Sequence, residues 1–167
     1  MKVKCTIKTP LGEMIALAGQ DTLCELWFAD QRYKPKHVAE YEVNQDHPLF
    51  KSLRIQLDAY FAGRLLAFDL PLAPTGSTFQ MEVWALLRKI PLGATVTYGA
   101  LARQLAEVRQ GRLPAAQAVG GAVGRNPIEV IIPCHRVVGA NGSLTGYAGG
   151  LERKAALLEL EKCKPVS

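Results

Sequence analysis

The sequence predicts an α+β N-terminal domain with a short antiparallel sheet, joined to a mainly helical C-terminal domain containing a helix-turn-helix. Three observations carry this reading. Residues 3–28 hold three strand-like segments, the first closed by the turn sequence Thr9-Pro10-Leu11-Gly12. Residues 71–78 contain two prolines, a glycine and three hydroxyl side chains, a linker composition. Beyond them, two short helical patterns meet at a glycine-containing turn. The domains are accordingly placed at residues 1–72 and 79–167, with 73–78 as the linker.

Taken in order, Val3 to Thr9 alternates as a half-buried strand does, and Met14–Ala18 and Leu23–Phe28 supply two more strands. From Pro48 to Phe61, Leu49, Leu53, Leu57, Tyr60 and Phe61 recur at helical spacing, and Gly63 follows as helix C-termini favour. Ser77 or Thr78 can cap the next helix, which buries Phe79, Val83, Trp84 and Leu87 until Pro91-Leu92-Gly93 breaks it. Thr97 can cap a helix over Tyr98–Ala106 that buries Leu101 and Leu105.

The polar turn Glu107–Pro114 leads into a helix over Ala115–Val123, with Pro114 suited to its first position. Gly120 and Gly121 in that helix cost roughly 1 kcal/mol each relative to alanine. Either a bulky partner such as a duplex comes close to the backbone there, or the helix packs tightly inside the protein. Ile128–Ile132 reads as a buried strand. Gly139–Gly150, with five glycines, reads as a loop that can approach a planar ligand, or as a flexible hairpin. Leu151–Glu161 closes the chain as a helix, and a small strand pair or hairpin is expected near the Cys134 segment.

The 167 residues are 49% hydrophobic and 21% charged, which suits a packed globular protein and excludes a disordered one. No apolar run approaches the ~20 residues of a membrane helix, and the start lacks the apolar segment of a secretory signal. A cytoplasmic protein without membrane contact is expected. Residues 1–76 carry nine basic and nine acidic side chains, whereas residues 77–167 carry 11 and six, so the second part holds the whole net charge of +5. That asymmetry points the second part toward a polyanion.

The four cysteines, at 5, 24, 134 and 163, and the three histidines, at 37, 47 and 135, show no metal-site spacing. No metal and no cofactor is expected; reduced thiols are. Cys24 reads as a small packed hydrophobe and Cys163 as exposed.

Within Val130–Val138 an apolar run is interrupted by a thiol, an imidazole and a guanidinium. Burying three polar groups is unfavourable unless they are paired, so the pattern points to use: Cys134 as nucleophile, His135 beside it, Arg136 shaping the site. Neighbours in a strand face opposite ways, so a Cys134–His135 contact needs a turn at Pro133-Cys134 or a bridging water. Glu161 is the candidate carboxylate to orient the histidine.

The segments Ile132-Pro133-Cys134-His135-Arg136-Val137, Ala118-Val119-Gly120-Gly121-Ala122, Asn126-Pro127 and Gly146-Tyr147-Ala148-Gly149-Gly150 together resemble the O6-alkylguanine-DNA alkyltransferase family. Ile90-Pro91-x-Gly93 and Tyr98-Gly99-x-Leu101-Ala102 extend the resemblance, which covers about residues 77–162; Thr9–Gly12 and Tyr60-Phe61-x-Gly63 carry it more weakly into the first part.

The resemblance implies a suicide repair protein. It would flip an alkylated guanine (or O4-alkylthymine) out of double-stranded DNA and accept the alkyl group irreversibly on Cys134. It implies His135 acting through a water, Glu161 behind it, Asn126 as the hinge, and Tyr98 donating near purine N3. The carbonyls of Cys134 and Val137 would accept from the exocyclic amine. Tyr147 and Ala148 would line the pocket near O6 with Val123 close by, and Arg136 would hold backbone. Ala115, Ala116, Gln117, Ala118, Gly120 and Arg125 would face DNA. A monomer in solution is expected, with cooperativity on DNA left open.

Two departures stand out. Gln117 occupies the position where the family usually has an arginine that enters the base stack, so a cation is lost there. The turn Glu107–Pro114 looks longer than usual, and Arg109 and Arg112 in it are candidates for phosphate contacts. A lesion sensor without repair activity would lack the acceptor cysteine. A thiol hydrolase would leave the helix-turn-helix unexplained, and a transcription regulator would leave Pro133–Arg136 unexplained.

Overall fold

The computed structural model describes residues 2–32 and 38–162. His37 and Cys163 lie outside the described residues. Strands β1 (Lys2–Thr9), β2 (Gly12–Gly19) and β3 (Thr22–Phe28) form an antiparallel meander. Alternation on β1 buries Val3, Cys5 and Ile7 on one face, as strand geometry requires. A two-residue strand β4 (Glu42–Val43) adds to the other edge of β1 in parallel, giving the order β3-β2-β1-β4. Helix α1 (Pro48–Phe61) buries Leu49, Phe50, Leu53, Leu57 and Tyr60 and contributes to the same core as the sheet.

The free edge of β3 does not stay free. Leu23 and Leu26 form parallel bridges to Leu72 and Ile128. Leu23 N donates to Pro71 O and accepts Ala73 N at its carbonyl, both at 2.8 Å; Leu26 N donates to Pro127 O at 2.9 Å and Leu26 O accepts Glu129 N at 2.8 Å. An exposed strand edge is thereby covered. The same bonds fix the linker's first residues and the chain just before Cys134 to the sheet.

In the second part, α2 (Thr78–Leu87) starts with a capping box in which Ser77 and Gln80 exchange side-chain bonds. Helix α3 (Tyr98–Val108) is capped by Thr97, and α4 (Ala116–Gly124) follows a turn with Gln110 and Gly111 at positive φ. Trp84 Nε1 donates to Ala122 O at 2.9 Å inside the core, pinning α4 to α2. Pro114 does not open the helix: Ala115 is extended, with ψ 140°, and helical geometry begins at Ala116.

The alternatives for Gly120 and Gly121 resolve here. A Cβ at either would meet nothing within 4 Å, so intramolecular packing does not require these glycines. Residues 115–118 are all exposed, leaving an open face of small side chains.

The expected strand over Ile128–Ile132 is absent. Ile128 makes only the isolated bridge to Leu26, and the chain then coils through turns. Ile131 N donates to Glu129 O at 2.7 Å across Val130, which has φ 70°. This is a γ-turn of the strained hand, in a β-branched residue that ordinarily avoids positive φ. Cys134 N donates to Ile132 O at 2.8 Å across Pro133, a second tight turn. Cys134–Arg136 then form one turn of 3-10 helix. A short buried apolar run cannot be assigned to strand by pattern alone, and here the polar residues that follow need the curvature.

The expected small strand pair is parallel: β5 (Val96–Thr97) pairs with β6 (Val137–Val138). It sets Tyr98, the first residue of α3, directly beyond the end of the ladder that follows the Cys134 turn. The glycine loop is a loop, with a 3-10 turn at Ala140–Gly142, and α5 (Leu151–Lys162) follows. Gly149 has to be glycine, since a Cβ would lie 2.7 Å from Tyr147 and 2.9 Å from Phe28 side-chain atoms.

Asn126 ties α4 to the coiled segment, donating from Nδ2 to Ile132 O at 2.7 Å and accepting Ile128 N at Oδ1 at 2.9 Å, all buried. Asn126→Ala is expected to lower unfolding free energy by about 1–3 kcal/mol, since it orphans a buried N–H. Urea unfolding checks this; a change within error would show that the hinge bonds carry no net stability.

Candidate active site

The site is assembled from three places in the sequence: the Cys134–Arg136 turn, the end of α5, and α1. Glu161 on α5 is 2% exposed and accepts from four donors. His135 Nε2 lies 2.6 Å from its Oε2, Arg136 Nε 2.8 Å from Oε1, Arg136 Nη2 3.1 Å from Oε2, and the Tyr60 hydroxyl 2.5 Å from Oε2. Burial alone would raise this carboxyl, but the bonds from His135, Arg136 and Tyr60 hold it down at about 2. Arg136 also donates from Nη1 to Ile90 O at 2.6 Å, so it holds the loop after α2 as well.

His135 is wholly buried, and burial pulls its pKa below 6.5 although Glu161 pushes the other way. The imidazole is therefore neutral at pH 7. Ionised Glu161 only accepts, so the ring proton sits on Nε2 and Nδ1 keeps its lone pair. Nδ1 is buried and has no hydrogen-bond partner among the described residues.

Cys134 is 4% exposed. Its thiol donates to Glu129 Oε2 at 3.4 Å. Burial first, and the Glu129 charge second, push the thiol well above 9, against smaller opposing effects of Asn126 and Lys154. The resting sulfur is a protonated thiol, and ionising it requires a base. Tyr147 is also raised, by burial and then by Glu129 and Cys134, and its buried hydroxyl, near Glu129, makes no well-formed hydrogen bond among the described residues. The Tyr147 and His135 rings meet edge-on at 6.5 Å. Lys154 of α5 is buried, with Nζ donating to Thr145 O at 2.7 Å and Gly146 O at 3.4 Å, and so fastens the glycine loop.

Of the residues singled out from sequence, Cys134, His135, Arg136, Glu161, Asn126 and Tyr147 come together in this cluster. Val137 is buried next in the chain, Ala148 is half-buried beside Tyr147, and Val123 is buried on α4. Tyr98 is half-buried at the start of α3 and makes no side-chain bond among the described residues. Ala115, Ala116, Gln117 and Ala118 lie exposed at the start of α4, Gly120 is half-buried, and Arg125 is exposed at its end.

Arg112 is exposed. Arg109 is not free to follow it: Nη1 lies 3.1 Å from Glu82 Oε2, and the guanidinium stacks 5.2 Å over Phe79. Three site residues were not foreseen. Tyr60 stands among the apolar positions of its helix, and neither Glu129, in an apolar run, nor Lys154, in the last helix, is singled out by the sequence. A lone acid between Ile128 and Val130 is the signal that could have found Glu129.

Two known family models match this chain. Residues 78–163 match the family model of the 6-O-methylguanine DNA methyltransferase DNA-binding domain, and residues 2–74 that of its ribonuclease-like domain. The chain belongs to the 6-O-methylguanine DNA methyltransferase family. A methylated-DNA–protein-cysteine methyltransferase of Mycolicibacterium paratuberculosis is 46% identical over 94% of this chain and 90% of its own length. The protein of that name from Methanosarcina mazei is 44% identical over 93% and 94%. The crystal structure of Mycobacterium tuberculosis O6-methylguanine methyltransferase superposes with a TM-score of 0.86 at 43% identity, covering 100% of this chain and 96% of that one. The M. tuberculosis protein in complex with DNA gives 0.82 at 44% identity, covering 98% and 95%. Within this methyltransferase family fold, the N-terminal sheet and helical C-terminal region stand as expected from sequence.

Glu161→Gln leaves Arg136 without its counter-charge and should cost about 3–5 kcal/mol near neutral pH. The sign follows from a carboxyl held below its unfolded value: its contribution is complete above about pH 4.5 and is lost as pH falls toward about 2. The stability gap between wild type and Glu161→Gln is thus expected to shrink on acidification. Denaturant titrations at several pH values check it, and a gap independent of pH contradicts the assignment.

Proposed function

We propose that this chain removes alkyl groups from O6 of guanine in double-stranded DNA by transferring them to Cys134, once per molecule. One observation carries the reading. A buried thiol bonded to a buried carboxylate is followed in the chain by an imidazole anchored on Glu161, beside a helix whose exposed start is built mostly from small residues, in a member of this methyltransferase family.

The alkyl carbon hangs on a base stacked in the duplex, so the base must leave the stack to meet the sulfur. The open α4 face, with glycines that no internal contact requires, supports close approach of a DNA backbone. The excess of basic residues beyond residue 76, including exposed Arg112 and Arg125, supports affinity for phosphates. Arg109 contributes to holding α3 on α2 through Glu82 and is assigned no phosphate.

The thiol is almost covered in the free protein, so seating the purine requires the groups around it to give way. Asn126 then links α4 to the sulfur-bearing turn. Val137, Ala148 and Val123 form pocket walls, and Tyr98 donates to the purine as negative charge develops there. Sulfur attacks the alkyl carbon in line with the departing guanine oxygen. His135, held by Glu161, receives the thiol proton through a water at Nδ1. The thioether product has no activated leaving group, so the cysteine is not regenerated.

Incubation with duplex carrying O6-methylguanine is expected to add about 14 Da to the Cys134 peptide, the mass of one methylene unit on covalent transfer. Peptide mass spectrometry reads this, and Cys134→Ser should bind the duplex yet gain no mass. An unmodified Cys134 in wild type would favour lesion sensing over repair. Gln117→Arg is expected to tighten duplex binding in a fluorescence titration, since a cation enters the exposed start of α4. Weaker binding would show that this position does not meet the base stack.

A further inference from the structure

Among the described residues, Glu129 is the one ionisable side chain that bonds directly to the candidate nucleophile, and the reading above leaves it without a role. It is 1% exposed, and its Oε2 receives the Cys134 thiol at 3.4 Å. Its second oxygen, Oε1, is buried and makes no well-formed hydrogen bond among the described residues, with the Tyr147 hydroxyl the polar group near this carboxyl. A carboxylate so poorly satisfied is unfavourable, and nothing about packing calls for an acid in that run. Its placement is nonetheless strongly specified. Glu129 N is bonded to Leu26 O of β3, and the next residue, Val130, holds the positive φ that turns the chain. Strain in a β-branched residue persists where the surrounding structure enforces it, commonly beside functional groups.

We propose that Glu129 is the direct proton acceptor of the Cys134 thiol in the alkyl transfer, ahead of any water-relayed path to His135. The proposal rests on the function given above and changes which group the proton reaches first. His135 Nδ1 has no bond to the sulfur, whereas Glu129 already has one.

In the step, the S–H proton passes to Glu129 Oε2 as the S–C bond forms and the C–O6 bond breaks. Guanine leaves with that bond's electron pair and takes a proton from the Tyr98 hydroxyl, which solvent resupplies. Glu129 ends as a neutral acid beside a thioether. Thiolate and carboxylate do not coexist at this distance without mutual repulsion, so transfer is coupled to attack and no thiolate accumulates.

Tyr147 on the glycine loop and Cys134 on the 3-10 turn act on Glu129 directly; through them the cluster extends to Lys154 on α5 and Tyr60 on α1, and beyond Tyr60 to Glu161, His135 and Arg136. Glu161 is neutralised by Arg136. Burial raises Glu129 to about 7, with the nearby Tyr147 hydroxyl and the Cys134 thiol acting the other way. An acceptor must be ionised, so the rate should rise with pH through an inflection near 7 and level off above it. His135, lowered by burial, would instead place an inflection below 6.5.

The test is the single-turnover rate of methyl transfer from an O6-methylguanine duplex, measured between roughly pH 5 and pH 8. Wild type, Glu129→Gln and Glu129→Asp are compared, with thermal unfolding of each. Expected are an inflection near 7 in wild type, its disappearance in Glu129→Gln with a loss of about 100-fold at the upper pH, and its retention in Glu129→Asp. A Glu129→Gln loss below about tenfold, or an inflection that survives in it, overturns the proposal. So does a flat wild-type profile, which needs no variant to fold. Absence of transfer by wild type at every pH defeats the alkyltransferase reading itself, a result distinguishable from failure of Glu129 alone.

Discussion

The buried carboxylate of Glu161 is the interaction on which the rest of the site depends. From α5 it collects the imidazole of His135, the guanidinium of Arg136 and the hydroxyl of Tyr60, groups drawn from the 3-10 turn and α1. Each would be costly to bury alone; together they satisfy one another. Because Arg136 also reaches Ile90 O, the cluster fixes the loop after α2 relative to both α5 and the N-terminal helix. The order of the site is thus a consequence of one charge being compensated from every side.

The N-terminal part contributes through two devices. Tyr60 of α1 completes the Glu161 cluster, and the outer edge of β3 serves as a template for the chain on either side of residue 128. That template lets Val130 hold a φ of 70°, and the two successive tight turns bring Cys134 round to face Glu129. The sheet is therefore a jig for the nucleophile's approach segment, which explains how a part without apparent catalytic groups belongs to the functional unit.

Much of this was legible in the sequence where a local rule governs. Periodicity located α1, α2 and α3, and Ser77 and Thr97 cap the helices they were expected to cap. The joint presence of Cys134, His135 and Arg136 in an apolar run indicated a paired, buried cluster. What was illegible is non-local. Ile128–Ile132 has the composition of a strand, yet only the bonds to Leu26 and Asn126 decide that it coils. Tyr60 lies 101 residues from Glu161, and no local pattern announces that its hydroxyl matters. Arg109 carries the same charge as Arg112, but Glu82 and Phe79 claim it through a tertiary contact. Glu129 was the exception: the reasoning that flagged Cys134 applied equally to an acid between Ile128 and Val130.

The chemistry that follows is one of a protonated thiol awaiting a base, with the neighbouring imidazole kept neutral and turned so that Nδ1 is an acceptor. The most direct measurement is the pair of imidazole 15N resonances of His135 near neutral pH. The Glu161 anchor predicts a protonated Nε2 and an unprotonated Nδ1. A proton on Nδ1, or an imidazolium with both nitrogens protonated, would contradict it.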